Sequence, residues 1–323
     1  MSTTSVKRAL LIGINYLKNN AARLSGCIED VKNIQTMLID AYGYPPENIV
    51  VLRDDIPTKN PTRANIILAL QVIATVSGPN DELWIHYSGH GSQIRDTNKD
   101  EIDKLDETIV PVDYMNAGMI NDDEIFNIVR TIKCKACLVF DSCHSGSICD
   151  LQYSINYNSG SFSRSVTTNK AIANPNIIVL SGCRDTQTSE DSFDSRVNEF
   201  GGAMTISLLT VLRKNRHSAD IMKIYNDLCA DLVKNKFGQI PVLSSTVVVP
   251  TWVFMRPSPD KITVFIEPGR PAAASSIPSK PANSSVPLNK PSTSNGKKNT
   301  ILPINLFSKK SSMKPKPKFG LVM

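Results

Sequence analysis

Six short apolar runs, interleaved with amphipathic stretches, constrain this 323-residue chain more than any other feature. The runs are RALLIGI (8–14), NIVVL (48–52), DELWIHYS (81–88), ACLVFDS (136–142), NIIVLSG (176–182) and VVVPTWVF (247–254), and they read as strands. Helix-period patterns lie between them. They cover 27–43, ending in a Gly cap, 62–76 after a Pro, 121–132 with acids at its start, 201–215 and 218–235. Near-continuous apolar strands separated by helices imply a mostly parallel sheet covered on both faces. Ligands in such α/β sheets sit beyond the carboxyl ends of the strands. HYSGHG (86–91) and DSCHSG (141–146) both fall there.

Two segments depart from this alternation. Residues 151–175 (LQYSINYNSGSFSRSVTTNKAIANP) are rich in Ser, Asn and Gly and read as a long surface loop between core strands, a length that usually carries function or motion. From about 258 onward Pro, Ser, Lys and Asn dominate without periodicity, so a disordered tail is expected over 257–323, after a single domain over 1–256. The tail also explains the net charge of +6. From Pro271 to the end there are nine lysines and no acid, leaving 27 basic and 30 acidic residues in the rest. The fold itself is mildly acidic, and binding of nucleic acid by it is not indicated. No stretch approaches the ~18 apolar residues of a membrane span. ALLIGI (9–14) is too short and wrongly flanked for a signal peptide. Seven cysteines without regular spacing do not suggest a disulfide framework, and a reducing, cytoplasmic setting is expected.

The chemistry-bearing residues begin with Cys143 and His144. Neighbours in an extended segment point to opposite faces, so His144 is a poor base for the adjacent thiol. His90 stands in SGHGS between Gly89 and Gly91, where the backbone can turn sharply and approach a ligand, although any glycine turn can hold a histidine. His86 and His90 are spaced i, i+4, which suits a metal only on a helix; the strand-to-turn context makes His86 a packed strand residue. His217, among Arg213, Lys214 and Arg216 at a helix end, reads as solvated. Cys134 and Cys137 form a lone C-x-x-C and are expected in the core or at a strand edge. The run DTNKDEIDKLDE (96–107) lacks the glycine of an EF-hand loop.

With these residues in place, the chain resembles the metacaspases, caspase-like cysteine peptidases of family C14. YSGHGSQ (87–93) and DSCHSGS (141–147) are similar to that family's two catalytic blocks. LSGCIEDV (24–31), PTRANI (61–66), DETIVPVD (106–113), INDDE (120–124), SGCRDTQTSED (181–191), FGGAMT (200–205) and PVLSS (241–245) follow in the family's order. The resemblance spans residues 7 to about 255 and implies a caspase-like α/β/α sandwich. It divides the domain into a large segment, about 7–150, and a small one, about 176–256, around the 151–175 loop. Members with a zinc-finger or Pro-rich N-terminal prodomain differ, because here the fold starts within ten residues.

The resemblance casts Cys143 as nucleophile and His90, 53 residues upstream, as its base and acid, close to the about 50-residue spacing of caspases. No carboxylate is obviously placed to orient His90, so a dyad is expected. Backbone N–H groups of Gly91 and Cys143 would meet the oxyanion. Cleavage after Arg or Lys is implied, through a pocket whose positions fall on Cys27, Asp30, Ser88 and Asp141; two carboxylates in a partly desolvated pocket favour a cation. Taken alone, Asp30 would read as a solvated helix acid. An activating Ca²⁺ site would fall on Asp106, Asp122, Asp123 and Asp150, whose hard oxygens suit that ion; taken alone, Asp122 and Asp123 would merely favour a helix N-terminus. Arg164 and Lys170, in the long loop, are candidate points of self-cleavage. No organic cofactor is implied, the expected partners are protein or peptide substrates, and a monomer is expected. The competing classes are a catalytically silent scaffold, against which the retained Cys and His both argue, and a nucleotide-binding α/β protein, for which G-x-G-x-x-G and P-loop motifs are missing.

Overall fold

A computed structural model describes residues 5–95, 105–142, 145, 147–158, 160–182, 191–194, 199–237, 239–251 and 255. The strands in chain order are β1 (Lys7–Gly13), β2 (Ile49–Arg53), β3 (Glu82–Ser88), β4 (Gly91–Arg95), β5 (Leu105–Ile109), β6 (Ile120–Asn121), β7 (Lys135–Asp141), β8 (Tyr153–Asn158), β9 (Ser161–Val166), β10 (Ile177–Ser181), β11 (Asp191–Asp194), β12 (Glu199–Gly202) and β13 (Val242–Ser245). The helices are α1 (Cys27–Asp40), α2 (Arg63–Val76), α3 (Tyr114–Ala117), α4 (Asp122–Val129), α5 (Ala203–Lys214) and α6 (Ile221–Lys234).

Among the described residues the main sheet has eight strands in the order β2-β1-β3-β7-β10-β13-β8-β9. The first five are mutually parallel, and β13, β8 and β9 add antiparallel pairings at one side. Strand alternation explains why both faces are apolar. Ala9, Leu11, Trp84, Cys137, Val139, Ile178 and Leu180 face one core with α1, α5 and α6. Leu10, Ile12, Leu83, Ile85, Ala136, Leu138 and Val179 face the other with α2 and α4. The result is an α/β/α sandwich whose parallel centre was legible in the apolar runs.

Three expectations are corrected. The loop over 151–175 is largely the β8–β9 hairpin, which extends the main sheet. It escapes an apolar-run search because β9 is an exposed edge strand whose ladder is made by the backbone, with Ser and Arg side chains facing water. Among the described residues the last strand is β13, upstream of the 247–254 run. Residues 246–249 form a bend and 252–254 lie outside the described residues. His217 is buried at a helix end, its Nδ1 3.2 Å from the Tyr42 hydroxyl, so its basic neighbours did not imply solvation. Cys134 and Cys137 are buried free thiols, as are Cys27, Cys149 and Cys229. The 257–323 segment lies outside the described residues.

Candidate active site

Parallel register brings the ends of β1, β3 and β7 to one edge of the sheet. Gly13 pairs with Ser88, and Ser88 with Asp141. Helix α1 is pressed onto this edge: a Cβ on Gly13 would stand 2.6 Å from the Cys27 carbonyl oxygen. The helix starts at Gly26 without a local side-chain cap. Asn15, just past β1, replaces it, its Oδ1 accepting from the N–H of Cys27 at 3.0 Å and of Ile28 at 3.4 Å. The first turn of α1 is thereby fixed above the sheet, and it carries Asp30.

Asp30 and Asp141 are buried, at 1 % and 4 % exposure, on two different elements that converge. The Ser88 hydroxyl donates to Asp30 Oδ2 at 2.6 Å, and the Gly202 N–H reaches both Asp30 oxygens at 3.0–3.1 Å. Asp141 Oδ2 accepts from the Thr205 N–H at 2.8 Å and from its hydroxyl at 2.7 Å, at the start of α5. The helix N-terminus supplies the partial positive charge that a buried carboxylate needs. A Cβ on Gly202 would overlap Asp141 Oδ2 and lie 3.0 Å from Asp30 Oδ2, so this glycine occupies the space between the two acids. Cys27 is buried in the same first turn of α1 as Asp30. The four expected pocket residues, Cys27, Asp30, Ser88 and Asp141, thus share one edge, and Gly202 at the end of β12 and Thr205 in the first turn of α5 join them. FGGAMT was visible as a motif, but nothing in it assigned those two residues to the acids.

His90 lies two residues beyond β3. Its Nε2 is 2.8 Å from the Ala22 carbonyl oxygen, which fixes the tautomer with hydrogen on Nε2 and the lone pair on Nδ1. The ring packs against Tyr16 with centroids 4.7 Å apart. The Tyr16 hydroxyl accepts the His90 N–H at 2.9 Å and donates to the Val110 carbonyl at 2.7 Å, while the Tyr87 hydroxyl donates to the His90 carbonyl at 2.6 Å. Tyr16 itself adopts φ +52°, a left-handed conformation uncommon for a bulky residue. Orientation of His90 therefore comes from a carbonyl and two phenols, which sequence reasoning did not single out. Gly91 opens β4 directly after it. Cys143 and His144 lie outside the described residues, in the two positions after Ser142.

A second acidic cluster lies where β5 meets the start of α4. Carboxylate oxygens of Asp106 (β5) and of Asp122 and Asp123 (start of α4) come within 4.8 Å of one another. Asp122 Oδ2 accepts from the Glu107 N–H at 3.1 Å, and Asn121 Nδ2 donates to Asp106 Oδ2 at 2.9 Å. Burial, and then the neighbouring Asp150 and Glu107 carboxylates, push the Asp122 carboxyl up to about 9. Asp150, at φ +44°, joins through Lys170, whose ammonium is 2.8 Å from Asp150 Oδ2 and 3.1 Å from Asp123 Oδ1. Hard oxygens gathered this closely, and already recruiting an ammonium, fit a divalent cation. Glu107, buried next to it and bonded by the Ser147 hydroxyl at 2.6 Å, was not foreseen. Arg164 sits in the exposed edge strand β9.

A family model for the metacaspase, peptidase C14 domain matches residues 7–152. Among curated relatives, Metacaspase-1A of Aspergillus oryzae is 36 % identical over 75 % of this chain and 68 % of its own length. Metacaspase-1 of Ajellomyces capsulatus is 34 % identical over 75 % and 80 %. Metacaspase-1 of Cryptococcus neoformans is 35 % identical, and this chain spans 63 % of its length. Among solved structures, caspase-1 of Spodoptera frugiperda shares the fold at 12 % identity and a TM-score of 0.54, covering 79 % of this chain and 94 % of its own.

Proposed function

The chain belongs to the metacaspases, and from that premise we propose that it is a cysteine endopeptidase cutting peptide bonds after Arg or Lys with Cys143 and His90. One observation supports the specificity above others: Asp30 and Asp141, buried and held by hydrogen bonds, lie at the same sheet edge as His90. A planar guanidinium or an ammonium entering between them would be bound by charge-assisted hydrogen bonds, whereas a substrate Asp would be repelled.

In this reading His90 Nδ1 takes the thiol proton of Cys143, and the thiolate attacks the carbonyl carbon of the scissile bond. The oxyanion forms against the N–H groups of Gly91 and Cys143, donors whose loss typically costs ~10²–10³ in rate. The imidazolium then gives its proton to the leaving amine. Water, deprotonated by the same nitrogen, hydrolyses the thioester and restores the thiol. The Nε2–H bond to the Ala22 carbonyl stabilises the transient imidazolium and keeps Nδ1 aimed forward.

Calcium activation and self-cleavage at Arg164 or Lys170 belong to the same proposal. Asp106, Asp122, Asp123 and Asp150 would hold the ion, whose charge would offset their mutual repulsion. Substrates are proteins or peptides, the protein acts as a monomer, and five buried thiols favour a reducing, cytoplasmic setting. Among the described residues no helix is long and apolar enough to cross a membrane. The test is cleavage of peptides with Arg, Lys or Asp before the scissile bond, with and without Ca²⁺. Cleavage after Asp only would sink the acidic pocket, full activity in Cys143→Ala would sink the nucleophile, and indifference to chelator would remove calcium.

A further inference from the structure

Lys170 has an unusual setting for a lysine on a surface connector. Its ammonium binds Asp150 Oδ2 at 2.8 Å and Asp123 Oδ1 at 3.1 Å, and lies 5.3 Å from the Phe126 ring centroid. Asp123 belongs to the acidic cluster with Asp106 and Asp122, and Asp150 is joined to it through Lys170 and by the repulsion its charge exerts on Asp122. The segment carrying Lys170 leads from β9 to β10 and is tied at its two ends. The Thr167 hydroxyl donates to the Leu151 carbonyl and its N–H to the Gln152 carbonyl, and Asn174 Nδ2 donates to the Ile132 and Cys134 carbonyls. Between those ties Asn169, Ala171 and Ala173 are exposed, so the Lys170 side chain is the segment's main polar attachment to the body of the domain.

We infer that Lys170 is a built-in counter-ion for the Asp123–Asp150 side of this cluster, which a divalent cation must displace, so that cation binding releases the 168–173 connector. The inference rests on the calcium reading above and deepens it. One ammonium offers a single charge through two contacts, whereas a divalent ion offers two charges to all four carboxylates at shorter range. The two cations cannot share the same oxygens, since they would repel one another across a few ångströms. Binding is therefore an exchange, and the apparent affinity for the divalent ion is lowered by the fraction of protein in which Lys170 is docked. Release also makes Lys170, a residue of the type the proposed pocket would accept, available as a cleavage point only in the cation-bound protein.

The experiment uses the full chain in a Cys143→Ala background, so that no cleavage intervenes, and compares Lys170→Met and Lys170→Arg with it. Methionine keeps an apolar stem against Phe126 without the charge; arginine keeps the charge. Calorimetric titration with CaCl₂ is expected to give about five- to tenfold tighter binding in Lys170→Met, the size set by a partly exposed ion pair, with Lys170→Arg close to the parent. Hydrogen exchange at 168–173 is expected to quicken when Ca²⁺ is added to the parent, and to be fast from the outset in Lys170→Met. Equal Ca²⁺ affinity in all three proteins, with binding intact, would overturn the exchange while leaving the calcium site standing. Uptake by none of them would remove the calcium reading itself. Slow exchange at 168–173 in metal-free Lys170→Met would overturn the latch independently of any cation.

Discussion

Gly202→Ala is the sharpest perturbation of the acidic pocket, because it adds one methyl group and removes no polar atom. The new Cβ would overlap Asp141 Oδ2 and press on Asp30 Oδ2 at 3.0 Å. Either Asp141 swings away, losing its bonds to the Thr205 N–H and hydroxyl, or α5 retreats, losing the Gly202 N–H bond to Asp30. Hydrogen bonds to charged groups are worth about 1.5–3 kcal/mol each. Loss of one such bond's positioning effect on a substrate cation corresponds to roughly 10- to 100-fold in kcat/KM. The assay is kcat/KM on matched peptides with Arg or Ala before the scissile bond, alongside thermal unfolding. The expected result is a fall for the Arg peptide of about that size with little change for Ala, so that preference flattens, and a Tm lower by about 4–10 °C. Gly78→Ala is the control, since its Cβ would meet only Asp81 Oδ2 at an ordinary 3.7 Å. Undiminished preference for Arg in Gly202→Ala would refute the reasoning, because the geometry leaves no room for the methyl group unless the acids do not form the pocket.

Three further outcomes follow from other parts of the site. Tyr16→Phe keeps the ring against His90 but removes the hydroxyl between the His90 N–H and the Val110 carbonyl; kcat is expected to fall about tenfold with KM nearly unchanged, as steady-state kinetics would show. Asp122, pushed up to about 9 against an ordinary ~3.9, contributes stability that is complete at low pH and lost as pH rises through 9, so metal-free Tm should decline from pH 6 to 9 in the parent and stay flatter in Asp122→Asn. His86 is fully buried, neither ring nitrogen has a hydrogen-bond partner among the described residues, and burial pushes it down to about 3. Its folded form holds fewer protons than the unfolded chain between 6.5 and 3, so urea-unfolding stability should drop as pH falls through that window by about 1.4 kcal/mol per unit, and less steeply in His86→Leu.

What could be read from the chain depended on where each residue sits. The parallel strands were legible because burial on both faces makes them near-continuous apolar runs, as in ALLIG of β1 and ACLVF of β7. The β8–β9 hairpin was not, since edge strands held by backbone ladders can be as polar as a loop. The run at 247–254 misled for the opposite reason: Val248 and Val249 are apolar and β-branched yet exposed in a bend, and pairing with β10 falls instead to VLSS just upstream. His217 shows the limit of charge context, because its helix end folds onto Tyr42. Asp30 and Asp141 could be named from motifs, but their partners Gly202 and Thr205 could not, because they arrive from the end of β12 and the start of α5, 60 or more residues distant in sequence from Asp141, and only packing brings them together.

The two acidic groups stand on different elements, and on the reading proposed above they would suit different cations. Asp30 and Asp141 stand on separate elements, and each is already engaged by N–H or hydroxyl donors that hold its plane. Donors of that kind lower the cost of burying a carboxylate without supplying a full charge, so a cation arriving on a side chain is still favoured and is gripped by oriented lone pairs. Such a pair is poorly suited to Ca²⁺, which needs six to eight oxygens within about 2.3–2.6 Å. The second site has the complementary construction. Asp106, Asp122 and Asp123 lie within 4.8 Å of one another, and burial, then the Asp150 and Glu107 carboxylates, push the Asp122 carboxyl up to about 9. A guanidinium on a peptide could not enter it without displacing Lys170, whereas a small doubly charged ion gains most where carboxylates repel each other most. On this argument Ca²⁺ should leave Arg-peptide competition at the Asp30–Asp141 pair untouched. A peptide aldehyde ending in Arg should accordingly lose affinity on Asp30→Asn but not through direct competition with added Ca²⁺, and competitive kinetics between the two would show that the sites are not separate.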